Sequence, residues 1–222
     1  YITFELDSPD GDQGYPGALD MKVTYTLDEE NGLTIHYEAV PDQDTVINMT
    51  NHSYFNLNGH KSGSVLHHRM QILSDAFTPA DAQSIPTGEI CSVDGTPMDF
   101  RSTKELGAEI DAAYEPLILG NGYDHNWVLK NEGRFDKVAE VTGDESSIVM
   151  EVWTDRPGVQ VYTANFLENE AGRNGAVYQK REAVCLETQN YPDAVHQKNF
   201  PEAICKKGET YDTKTAYRFH IE

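Results

Sequence analysis

A period of two runs through the apolar residues of this chain and limits it to one class of fold. Side chains alternate, or β-branched and aromatic residues concentrate, over Lys22 to Leu27 (KVTYTL), Leu33 to Val40, Val46 to Leu57, Ile148 to Thr154 (IVMEVWT), Val159 to Phe166, Ala183 to Gln189 and Ala216 to Ile221. Turn-forming clusters separate them: DEENG at 28–32, PDQD at 41–44 and DRPG at 155–158. Strands joined by short turns predict an all-β, antiparallel architecture. One short peripheral helix is expected from Ser102, where Ser-Thr-Lys-Glu forms a capping box ahead of LGAEI. With no repeat and no linker-like change of composition, residues 1–222 read as one domain.

Residues 48–57, NMTNHSYFNL, are unusual among these segments. Strand alternation places Asn48, Thr50, His52, Tyr54 and Asn56 on one side, a face that is polar throughout yet uncharged. Such a face suits a ligand rich in hydroxyls, and His52 is its one side chain that titrates near neutrality.

Charge narrows the partners. Seventeen Lys and Arg stand against 37 Asp and Glu, a formal net charge of -20 with no basic stripe, which disfavours nucleic acid and anionic membrane surfaces. No segment approaches the roughly 18 consecutive apolar residues of a membrane span. Cys91, Cys185 and Cys205 are far apart and have no metal-ligand spacing, as expected of reduced thiols in a cytoplasmic protein. The Gly- and Pro-rich stretches SPDGDQGYPG (8–17) and 81–100 lack phosphate-cradling spacing, so they read as functional or rim loops and not as a nucleotide site.

Three further constellations could carry chemistry. In GYDHNWVL (122–129), Asp124 and His125 stand beside Tyr123 and Trp127, aromatic faces that could pack on a sugar while the carboxylate accepts its hydroxyl protons. In CLETQNYPD (185–193), Glu187 follows an apolar run, where an ionised group must be hydrogen-bonded or employed; it could equally be an edge charge facing water. In PGVQVYTANF (157–166), Gln160 and Tyr162 share a strand face, with Asn165 at the far end. His67 and His68 have no third ligand at sensible spacing and read as surface residues, with no metal site. There is no GxSxG nucleophile motif, so the inventory fits proton transfer without a covalent intermediate.

TNHSYFNL, GYDHNWVL, PGVQVYTANF and CLETQNYPD, in this order and with FTPAD, IPTGEI, GTPMDFR and GETY in register, resemble the galactose mutarotase (aldose 1-epimerase) family over nearly the whole chain. The resemblance implies a large antiparallel β-sandwich and interconversion of the α and β anomers of galactose or glucose, with no cofactor. It implies His52 as the general acid at the ring oxygen and Glu187 as the general base at the anomeric hydroxyl. Asp124 would hold sugar hydroxyls, and Tyr54 and Gln160 would line the site.

Members of the family are longer, and a further active-site His and an Arg come from ahead of the SPDG-like loop. Residues 1–21 supply neither. Tyr1 is therefore expected to mark an internal position, leaving the sandwich without N-terminal strands, with unpaired edges and weak or no activity for this segment alone. A separate N-terminal chain could complete it. The competing readings are a non-catalytic hexose-binding module of the same fold, a mutarotase part of a fusion enzyme, and a hexose-6-phosphate 1-epimerase. The last would need clustered Arg or Lys for the phosphate, which these motifs lack.

Overall fold

The computed structural model describes residues 1–222. Two antiparallel sheets pack face to face. The larger has eight strands, in the order Ile2–Ser8, Leu19–Leu27, Gly32–Pro41, Tyr211–Ile221, Ile148–Thr154, Asp136–Thr142, Arg69–Ile72 and Lys104–Glu105. The smaller has five, in the order Cys185–Gln189, Gly158–Tyr162, Asp124–Val128, Ala76–Thr78 and Cys91–Ser92. The expected all-β, antiparallel class is the one observed. No helix is long and apolar enough to cross a membrane.

The core lies between the sheets because alternate residues of each strand turn inward. Ile35, Tyr37, Met70, Ile72, Val141, Met150, Val152 and Tyr217 come from the larger sheet, and Phe77, Trp127, Val159, Val161 and Leu186 from the smaller. All belong to one cluster of 30 buried residues. Period two then sends Glu187, Gln160 and Asp124 to the opposite face of the smaller sheet. At the edge of the larger sheet, Ile2, Phe4 and Leu6 are exposed.

Several expectations are corrected. The Ser102 segment is no helix: Lys104–Glu105 pairs with Arg69–Ile72, and Leu106 N and Gly107 N donate to His68 O and Leu66 O. Those sheet-edge bonds outweigh a local capping signal. The α-helix is instead Glu115–Leu119, with Pro116 in its first turn and no side-chain cap. His68 is not a surface residue but fully buried, with Leu57 N donating to Nε2 at 3.0 Å and Nδ1 2.8 Å from Asp144 Oδ1. His67 is exposed, 3.1 Å from Glu105.

Residues 48–57 form no regular strand beyond Val46, although they run extended beside Cys185–Gln189. Only Phe55 and Val184 exchange ladder bonds. Side chains replace the rest. Asn48 Nδ2 donates to Asn190 O and Asn48 Oδ1 accepts from Asn190 N; Thr50 donates to Thr188 O; Asn56 donates to Gly63 O and Glu182 O. The uncharged polar residues of this stretch thus serve chiefly to satisfy backbone that a ladder would otherwise pair.

Candidate active site

Continuing the register of the Phe55–Val184 bridge along the two chains sets His52 opposite Glu187 and Tyr54 opposite Cys185. The smaller sheet extends both rows. Glu187 pairs with Gln160, which pairs with Asn126, which pairs with Thr78. Cys185 pairs with Tyr162, which pairs with Asp124. Segments far apart in sequence therefore deliver His52, Glu187, Gln160, Asp124, Tyr54 and Tyr162 to one patch.

His52 Nε2 lies 3.3 Å from Glu187 Oε1; the His52 side chain is 48% exposed and that of Glu187 only 10%. The imidazole is packed between two tyrosines, stacked on Tyr54 at 4.9 Å between ring centroids and edge-on to Tyr162 at 5.8 Å. Tyr162 is itself fixed, because its hydroxyl accepts from Phe166 N at 3.1 Å. Gln160 Nε2 donates to Asp124 Oδ1 at 2.8 Å, which points the Asp124 carboxylate along the row.

Burial raises both carboxyls of the patch. Burial, reinforced by the Asp124 charge, pushes Glu187 up to about 7. Asp124 is also raised by burial, against the lowering effects of the Gln160 bond and of His52. Burial pushes the Tyr54 hydroxyl up to about 12, so near neutral pH it is a hydrogen-bond donor and not an anion. One carboxyl near its midpoint beside an imidazole can exchange a proton with a ligand at neutral pH.

All five residues expected at the site meet here, but several of their sequence neighbours do not. Tyr123 and Trp127 are fully buried, donating to Pro97 O and Met98 O, so neither offers a face to a ligand. Period two turns Trp127 and His125 toward the core while Asp124 turns outward. His125 is buried, pushed down to about 4, and its Nδ1 accepts from Asp124 N. Asn51 is also internal, bridging Tyr37 Oη and Tyr217 Oη at 3.2 and 3.1 Å. Asn165 is buried beyond the strand end. Tyr162 is the residue whose place beside His52 the sequence leaves unmarked; its period-two partnership with Gln160 is the signal for it.

Comparison with known proteins gives the family. The family model described as Aldose 1-epimerase matches residues 1–218. The chain belongs to the aldose 1-epimerase family. Among the family's curated members, it is 45% identical over 221 residues to galactose mutarotase of Homo sapiens, an alignment covering 99% of this chain and 63% of that protein. It is 38% identical over 224 residues to aldose 1-epimerase of Escherichia coli (strain K12), covering 100% and 64%. A solved aldose epimerase homologue from C. elegans superimposes with a TM-score of 0.89 at 28% identity, over 99% of this chain and 65% of that one. Galactose 1-epimerase from Lactobacillus acidophilus gives 0.85 at 26%, over 99% and 62%. The chain thus spans just under two thirds of the length of these family members.

Proposed function

We propose that this chain carries the acid-base centre of an aldose 1-epimerase acting on galactose or glucose. The observation that supports this most strongly is the contact of half-exposed His52 with buried Glu187. In the forward half-reaction Glu187 takes the proton of the anomeric hydroxyl. The electron pair of that O–H bond forms the carbonyl, the bond from C1 to the ring oxygen breaks, and the ring oxygen takes its proton from His52. Rotation about C1–C2 turns the aldehyde's other face to the hydroxyl, and the reverse transfers close the ring as the other anomer.

Each step moves protons between the sugar and the two side chains and electron pairs within the sugar, and ring closure returns both protons, so the reaction consumes no external oxidant or reductant. Asp124 and Gln160, bonded to each other, present an acceptor and an amide to sugar hydroxyls, and Tyr54 adds a hydroxyl donor at the rim. General acid and general base each contribute typically about 10²- to 10⁴-fold. Three free cysteines suit a reducing cytoplasm.

Saturation transfer between the anomeric proton signals of equilibrated D-galactose tests the activity. Transfer faster than in buffer supports the proposal. Galactose binding without faster transfer would instead favour a hexose-binding module.

A further inference from the structure

Arg181 is only 8% exposed, yet no carboxylate pairs with its guanidinium; Asp111 acts on it through space alone. A cation so placed is costly unless hydrogen bonds replace its hydration. Nη1 donates to Thr163 Oγ1 at 2.8 Å and to Asn165 Oδ1, and Nη2 donates to Asn121 O at 2.7 Å. These acceptors lie on two segments, 121–123 running into Asp124 and 163–165 leaving Tyr162.

Other bonds tie the same two segments. Thr163 N donates to Tyr123 O at 3.1 Å, and Asn165 Nδ2 donates to Gly120 O and Tyr123 O at 2.8 and 2.9 Å. The backbone is adapted to hold the guanidinium there. A Cβ at Gly122 (φ +127°) would overlap it. Ala164 (φ 51°) and Arg181 (φ 70°) both take left-handed conformations that side chains resist, and Arg181 N donates to Ala164 O at 3.2 Å.

We infer that Arg181 is a positioning residue for the sugar site. Its guanidinium ties Asn121, three residues before Asp124, to Thr163, one residue after Tyr162, holding Asp124 against Gln160 and Tyr162 against His52. The inference rests on the reading of Asp124 as the carboxylate that holds sugar hydroxyls.

The test combines Arg181→Met with Asp124→Asn, measuring D-galactose affinity by NMR titration and following the Asp124 carboxyl by ¹³C titration. Misplacing Asp124 loses a charge-assisted hydrogen bond, so Arg181→Met is expected to weaken galactose binding about tenfold in the parent and no further when Asp124 is already Asn. The Asp124 carboxyl should meanwhile move down toward the ordinary carboxylate range as water reaches it. Thr163→Val removes one of the acceptors and leaves the others, so it repeats the test if Arg181→Met does not fold. Equal weakening in both backgrounds, or an unmoved Asp124 titration, would overturn the positioning role. If Asp124→Asn itself leaves galactose affinity unchanged, the sugar-site reading fails instead, and the carboxyl titration still decides the role of Arg181.

Discussion

His52 and Glu187 touch across two neighbouring chains, Nε2 to Oε1 at 3.3 Å, with the imidazole toward solvent and the carboxyl beneath it. On the proposed mechanism, this contact holds an acid and a base in the proton arrangement that ring opening uses. On that mechanism, a sugar that presents its anomeric and ring oxygens to this pair meets the base and the acid side by side.

Burial brings the proposed base toward neutral pH. With Glu187 raised to about 7, the rate should climb as pH rises through 7, because the carboxyl must be ionised to accept a proton. Asp124→Asn removes a charge that helps raise Glu187, so the rising limb should move to lower pH. Anomer exchange rates of both forms between pH 5 and 9 check this. A limb that stays in place would show that burial alone sets the value.

The same burial costs stability. Glu187 binds its proton more tightly folded than unfolded, so stability is lost as pH rises from 4.5 through about 7. Glu187→Gln cannot ionise and escapes this loss. It should be more stable than the parent at pH 8, by up to about 3 kcal/mol, and equal to it below the unfolded carboxyl's range. Urea unfolding at pH 8 and pH 4 provides the comparison.

His68 anchors the chain just after the segment that bears His52 and Tyr54. It is buried neutral, and its Nε2 accepts from Leu57 N only while unprotonated. Burial holds it below its ordinary value of 6.5 against the opposing pull of Asp144 and Glu145, so stability should fall as pH drops below 6.5. His68→Ala should cost about 2–4 kcal/mol at pH 7, from the cavity and the unpaired amide, and should flatten that acid limb. Thermal melts across pH 5 to 7.5 test both effects.

The sandwich was legible because each long strand repeats its inward residues with a period of two and turns punctuate them. The site was legible where a polar group sits on an otherwise apolar strand, as with Glu187. Other features depend on contacts that local sequence does not encode. Trp127 is as aromatic as a sugar platform would be, but its parity with Val159 and Phe77, its partners across the strands, puts it in the core. The Ser102 capping box was overridden by pairing with Arg69–Ile72. His67 and His68 differ in fate because only His68 meets a backbone amide, at Leu57, and a carboxylate on a distant turn. The chief role of the polar face of 48–57, backbone satisfaction, is visible only beside strand Cys185–Gln189.

The most direct test is polarimetry of freshly dissolved α-D-galactose with the parent chain and with Glu187→Gln, together with galactose affinity for both. The acid-base account predicts that the parent speeds equilibration over buffer, and that the variant loses at least about 10²-fold of that acceleration while binding galactose as well as the parent. Near-parental acceleration by Glu187→Gln would contradict it.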